Sequence, residues 1–450
     1  MTVEQINNID FDELLKLGSF ECECGKVHEQ GVRKVVIENG AVKRLPEMLR
    51  EIGAKKPFLL SGHDTFAAAG EKVCDVLEKA GIDFSKYVFP VSPVKPTEYT
   101  VGSALMHFDY SCDAIVGIGS GVVNDTGKII ARATGLNYLI VATAPSMDGF
   151  VSATSSMDRD GLKVSLNSKA AWGVIGDLDI LSKAPMHMLL SGVGDMIAKI
   201  TSLAEWKMAG IIVGEYYCPV VAELVKKALN KVMASSEGLL RREPEAVRSV
   251  MEGLVIAGIA MNYAGMSRPA SGTEHYFSHI WDMRSLAFED AKAELHGIQA
   301  GLGTIYTLKV FDRIKSGEIV PDRKRADAYV KNFNGEKWNE QLRSFIGPGA
   351  EAMIEGEYRE HKYDLRNHSE RFKIIEQNWN EIMDIISELP DAAELEKLMK
   401  SIGFPIDAAV IGYSLAQIKM TFTMTKDIRD KYIVTRLLWD LGVLDSIDFS

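Results

Sequence analysis

One acid and three histidines between positions 195 and 296 of this 450-residue chain have the types and spacing of a metal centre. Asp195 stands in GVGDMIAK, at the start of an apolar helical stretch where a lone carboxylate needs a reason. His275 and His279, in GTEHYFSH, are four residues apart and so share one side of a helix. His296, in ELHGIQAG, completes a set of three among the nine histidines of the chain. A carboxylate oxygen with two imidazoles suits a divalent Zn, Ni or Fe ion that keeps one position open for substrate. A lone histidine is more often structural than a ligand; it is the clustering that favours metal.

A second chemistry is written in DAIVGIGSGVVNDTGK. An apolar strand runs into Gly117, Ile118, Gly119, Ser120 and Gly121, and a helix then begins. Small residues there let backbone N–H groups approach an anion at the helix N-terminus, the outline of a diphosphate cradle. The spacing matches neither the GxGxxG nor the Walker pattern, so a glycine turn that merely tightens the strand–helix joint is the competing reading. Asp125 and Lys128, one turn further on, could be a surface ion pair. The segment TAPSMDGFVSATSS places Thr143, Ala144, Pro145, Ser146, Asp148 and Ser152 just past another strand. Hydroxyls and an acid there suit ligand contact, although Asp and Ser at such places are usually turn and helix caps. A weaker group, Cys22, Cys24 and His28 in CECGKVH, has three metal-type ligands and no fourth nearby; it reads as a turn carrying free thiols.

The elements that must position these residues change character along the chain. From Arg33, strand-length apolar runs (VRKVVIENG, KPFLLS, YVFPV, DAIVGIG, NYLIVATAP) alternate with amphipathic helical segments, one of them spanning Ser103 to Tyr110. That alternation predicts a parallel, doubly wound, Rossmann-like sheet that binds ligands beyond the carboxyl ends of its strands. Helical patterns dominate after Asp179, beginning with MHMLLSGVGDMIAKITSLAEWKMAG. The expectation is an α/β domain over residues 1–184 and an all-α domain over residues 185–450, with Trp206 and Trp281 in the core.

Composition bounds the rest. Apolar residues are 46% and charged residues 25%, ordinary for a globular protein. A net charge of −11 argues against a nucleic-acid surface but allows a local cationic pocket. The longest charge-free apolar stretch is too short to span a bilayer, no secretory signal opens the chain, and five cysteines are too few for a disulfide framework. These features predict a soluble, cytoplasmic, reduced protein.

Taken in order, GIGSGVVNDTGK, TAPSMDGFVS, GVGDMIAK, SGTEHYFSH and LHG resemble the sn-glycerol-1-phosphate dehydrogenases of the iron-containing (group III) alcohol dehydrogenase superfamily. The longer bacterial branch is nearest, since it shares the Cys-x-Cys-Gly segment and a tail like DIRDKYIVTRLLWDLGVL. The resemblance implies a dehydroquinate-synthase-like architecture and reduction of dihydroxyacetone phosphate by NADH or NADPH. It assigns Gly117, Ile118, Gly119, Ser120 and Gly121 to the dinucleotide diphosphate, and Thr143, Ala144, Pro145 and Ser146 to the nicotinamide side. It further assigns Ser152 to the cofactor, with Asp125 and Lys128 as the pair following the glycine loop. Asp195, His275 and His296 become the ligands of one divalent metal. Asp148, Asp195 and His279 become the catalytic and substrate-contacting groups. A homo-oligomer acting on a phosphorylated triose or polyol is implied, without nucleic-acid or membrane partners.

The chain departs from the pattern in three places. Gly-Ile-Gly replaces three consecutive glycines, Asp64 in SGHDTF is unusually offset from its strand as a ribose ligand, and SKAAWGV lacks an expected proline. Arg268 and Lys163 are the candidate cations for a substrate phosphate. Competing readings are a glycerol or polyol dehydrogenase, a lyase like 3-dehydroquinate synthase, and a non-catalytic nucleotide-binding regulator. The lyase would carry more basic residues near the metal, and the regulator would need no open metal site.

Overall fold

The computed structural model describes residues 1–159 and 162–449. Its strands are β1 (Ser19–Glu21), β2 (Val27–Glu29), β3 (Lys34–Glu38), β4 (Pro57–Gly62), β5 (Ser85–Phe89), β6 (Ala114–Gly119), β7 (Asn137–Ala142), β8 (Thr154–Arg159), β9 (Leu162–Asn167) and β10 (Gly173–Asp177). Six form one sheet in the order β3-β10-β7-β6-β4-β5, every neighbouring pair parallel. Strands β4 and β6 are buried along their whole length, which is why they read as unbroken apolar runs in a sheet covered on both faces. Val116, Ile118, Leu139, Val141 and Ile175 pack beneath Leu45, Met48, Val73 and Leu77 from the covering helices. The chain leaves β4 toward β5 on one side and leaves β6 toward β7 on the other. The carboxyl ends of β4 and β6 therefore flank the topological switch point, where such sheets bind ligands.

The chain divides into two compact units that do not follow a single cut in sequence. The first holds the sheet and its helices through Met196, and it also takes in Pro219–Ser267. It thus includes the long helices Pro219–Leu240 and Pro244–Ala264. The second holds Lys163, Ile197–Cys218 and the chain from Arg268, and its described elements beyond Arg268 are helical. One of its cores gathers Ile280, Trp338, Leu342, Ile346 and Met424. Trp206 and Trp281 are fully buried, as expected. No helix among the described residues is long and apolar enough to cross a membrane.

Two local expectations are corrected. The helix placed at Ser103 to Tyr110 spans Glu98–Met106, because the Thr97 hydroxyl accepts from the Thr100 N–H and starts it five residues earlier. The long pattern from Met186 is two helices, Met186–Ile197 and Lys199–Val213.

Candidate active site

The glycine loop lies where the sheet requires it. Strand β6 ends at Gly119, Ser120 is the non-helical residue that follows, and the helix Gly121–Thr134 starts at once. The three glycines differ in purpose. A Cβ at Gly117 would come within 2.3 Å of the Tyr138 hydroxyl, and one at Gly119 within 2.6 Å of Val123, so both are glycine for internal packing. A Cβ at Gly121 would meet nothing nearer than Met147 at 3.6 Å. Space beside the first turn of a fourteen-residue helix, next to its unpaired N–H groups, is what a diphosphate needs. The loop therefore fits a dinucleotide, and only Gly121 faces room for it.

The Thr143–Ser152 segment is tied to this loop. Thr143 donates its N–H to the Gly119 carbonyl at 3.0 Å, and the Ser120 and Ser146 hydroxyls hydrogen-bond each other. Ser191 donates to the Ser146 carbonyl at 2.9 Å. Gly192 allows the helix carrying Asp195 to press against this segment, because a Cβ there would overlap the Pro145 carbonyl at 1.9 Å. One turn later Asp195 is fully buried and accepts the Asp148 N–H at 2.8 Å. The structure thus gives a reason for the lone acid in an apolar helix.

Asp125 and Lys128 do not form a surface pair. The Lys128 ammonium is fully buried, 3.0 Å from Asp125, and donates to the carbonyls of Gly149 and Thr154 and to the Ser152 hydroxyl. Asp125 accepts from the Ser156 N–H. The pair pins the loop that carries Asp148 and Ser152. Asp64 stands exposed at the end of β4, accepting from the Ser92 hydroxyl.

In the second unit the helices Thr273–Ala287 and His296–Lys315 bring the histidines together. The His275 and His296 ring centroids are 4.9 Å apart, and those of His279 and His296 are 6.4 Å apart. The δ nitrogen of His275 pairs with the buried Glu274 carboxylate at 3.0 Å, and that of His296 with the Ser278 hydroxyl at 2.9 Å. With each δ nitrogen engaged, the ε nitrogen is the atom that each ring can offer a metal, as in sites where a second partner orients the imidazole. One oxygen of Asp195 and one nitrogen each of His275 and His296 lie within 4.8 Å of one another. The donor set and its supporting partners fit a divalent metal.

Sequence reading missed those supporting groups. Burial would raise the Glu274 carboxyl, but His275, the Thr201 hydroxyl and the Gly272 N–H outweigh it and hold it below the usual range. Glu205 beside it accepts from Thr273 and from the Val434 N–H, while burial and the charge of Glu274 push it up to about 7. His279 is half-buried, and burial with the positive charges of Arg429 and Lys163 and the neighbouring imidazoles holds it well below the usual histidine range. Arg429 carried no signal of its own in DIRDKY.

Arg268 requires correction. It is buried and bidentate to Glu215 at 2.8 and 2.6 Å, with a third bond to the Tyr432 carbonyl. Its charge is matched within the fold, so it is not the phosphate's cation. Lys163 is half-buried and 3.7 Å from Asp282.

Residues 36–185 match the family described as iron-containing alcohol dehydrogenase. A glycerol-1-phosphate dehydrogenase [NAD(P)+] of Bacillus licheniformis is 30% identical over 370 residues, 79% of this chain and 92% of that protein. The chain belongs to the glycerol-1-phosphate dehydrogenase family. A family member from Hyperthermus butylicus is 34% identical over 275 residues, 61% of this chain and 76% of that protein. Among solved structures, a probable glycerol dehydrogenase from Sinorhizobium meliloti superposes with a TM-score of 0.60. The superposition covers 92% of this chain and 97% of that one at 16% identity, a likeness of fold. Like these relatives, the chain has the α/β sheet followed by a mostly helical region expected of group III alcohol dehydrogenases. Membership in this family makes it an NAD(P)-dependent dehydrogenase.

Proposed function

We propose that this chain reduces dihydroxyacetone phosphate to sn-glycerol 1-phosphate with NADH or NADPH, using one divalent metal held by Asp195, His275 and His296. The observation that carries the reading is the convergence of one carboxylate and two imidazoles, each imidazole oriented by a second partner. When bound, the metal supplies Lewis acidity toward the ketone oxygen.

The chain's own groups do the rest. The backbone donors at Gly119, Ser120 and Gly121 hold the dinucleotide diphosphate, and Thr143, Ala144, Pro145 and Ser146 flank the nicotinamide. A bound nicotinamide would supply hydride to the carbonyl carbon, and a proton delivered to the oxygen would complete a secondary alcohol. Asp148 and His279 hold the substrate hydroxyls. His279, kept neutral, presents one N–H and one lone pair, so it can pass a proton without changing its resting charge. Lys163 and Arg429, whose charges act on His279, anchor the phosphate. The Asp125–Lys128 pair contributes by fixing the loop of Asp148 and Ser152. A cytoplasmic homo-oligomer completes the proposal.

The test is initial-rate oxidation of NADH and of NADPH by metal-loaded protein with dihydroxyacetone phosphate or dihydroxyacetone, and the reverse reaction with glycerol. The phosphorylated ketone should win in kcat/KM by about 100-fold, equivalent to roughly 3 kcal/mol of charge-assisted binding. Equal or better use of unphosphorylated dihydroxyacetone and glycerol would select the polyol dehydrogenase instead.

A further inference from the structure

The hairpin β1–β2 carries a group of ligands that the dehydrogenase chemistry does not use. Its turn is tight: the Cys22 N–H donates to the Lys26 carbonyl at 3.0 Å and the Gly25 N–H to the Cys22 carbonyl at 2.9 Å. Gly25 has φ +85°, which L side chains rarely adopt, so this turn requires glycine. Cys22 and His28 are buried, and Cys24 is half-buried.

Geometry then assembles the group. The Cys24 sulfur is 3.4 Å from the ε nitrogen of His28. The δ nitrogen of His28 is 2.7 Å from the Tyr263 carbonyl, to which it can only donate. That bond fixes the tautomer and turns the ε lone pair toward Cys24. Phe20 packs edge-on against the ring and Tyr263 packs tilted against it, with centroids 5.2 and 5.6 Å away. The fourth member is remote in sequence. Cys218 is fully buried and immediately precedes the helix Pro219–Leu240. One ligand atom from each of Cys22, Cys24, His28 and Cys218 lies within 4.8 Å of the others, and none of the cysteines is in a disulfide.

We propose that Cys22, Cys24, His28 and Cys218 bind one zinc ion in a closed, structural site separate from the catalytic metal. Tetrahedral zinc, with Zn–S of about 2.3 Å and Zn–N of about 2.0–2.1 Å, places sulfur and nitrogen roughly 3.5 Å apart and two sulfurs roughly 3.8 Å apart. The 3.4 Å separation and the 4.8 Å envelope match that figure. Four protein ligands leave no position for substrate, so the role is mechanical. Two paired strands of three residues are marginal by themselves in water, and the ion would add to the Tyr263 contacts a tie to the start of a 22-residue helix. Zinc with three thiolates keeps one negative charge, and Lys26 stands in the same turn to offset it.

Cobalt loading of the full-length protein tests this, because only this group can give thiolate-to-cobalt charge-transfer absorption. The expected result is two tightly held cobalt ions per chain, one with that absorption. Cys24→Ser should lose the absorption and one ion, while Cys24→His, which keeps four ligands, should regain the ion with an altered spectrum. His275→Ala should lose the other ion and keep the thiolate spectrum. Absence of charge-transfer absorption in the wild-type protein under reducing conditions overturns the proposal, and needs no variant to fold. So does a Cys24→Ser protein that retains both ions. Neither result bears on the Asp195–His275–His296 centre, so the two readings fail independently.

Discussion

The two ligand groups of this chain are built from different atoms for different ends. Asp195, His275 and His296 offer one oxygen and two nitrogens, and each imidazole leans on a buried partner, Glu274 or Ser278. Cys22, Cys24, His28 and Cys218 offer three sulfurs and a nitrogen, and their one oriented imidazole leans on a backbone carbonyl. Three hard-to-borderline ligands would leave a coordination position for a ketone oxygen; three soft thiolates with one imidazole would close the shell. The lesson is that ligand number and softness separate a chemical site from a staple.

Variants can break that comparison at either end. The largest effect belongs to His275→Ala, which should lose the oxygen–nitrogen-bound metal and turnover together while circular dichroism stays near wild type and the melting temperature falls, because the buried Glu274 carboxylate loses its partner. Next is His279→Ala, which should keep both metals and dinucleotide affinity but lose roughly 10²–10⁴-fold in kcat, measured on metal-saturated protein. Loss of metal from this variant would show that the ligands have been misassigned by one helical turn. Glu274→Gln keeps the shape of the carboxylate but not its charge, so metal affinity in a chelator competition should fall roughly 10–100-fold. Gly121→Val places a side chain in the only open position of the glycine loop, and dinucleotide Kd should rise about tenfold or more with metal content unchanged.

The smallest effect concerns stability alone. Burial and the Asp427 charge push the Glu357 carboxyl up to about 8 in the folded chain, against 4.5 when unperturbed. The folded state then keeps a proton that the unfolded chain has lost, so this group's contribution is full below about pH 4.5 and fades as pH rises to about 8. Glu357→Gln mimics the protonated acid and should flatten that decline in denaturant midpoints. An unchanged pH slope would mean that the group ionises normally.

What could be read from sequence follows from range. Strands β4, β6 and β7 were legible because a parallel sheet buries them on both faces, and the glycine loop because it directly follows β6. The two-stranded sheet of β8 and β9 was not, since TSSMDR and KVSLN are polar and carry no apolar run. Asp195, His275 and His296 stood out by type. Their support did not: Glu274 looks like any acid in a first helical turn. Arg268 was misjudged because Glu215, 53 residues away in sequence, neutralises it. Cys218 was invisible as a fourth ligand because it lies far from CECGKVH in the chain.

The most direct measurement is an anomalous difference map from crystals of metal-loaded protein. The account predicts one peak bounded by Asp195, His275 and His296 and a second bounded by Cys22, Cys24, His28 and Cys218. A first peak that is missing, or that is bound by His279 in place of His275, contradicts the central claim.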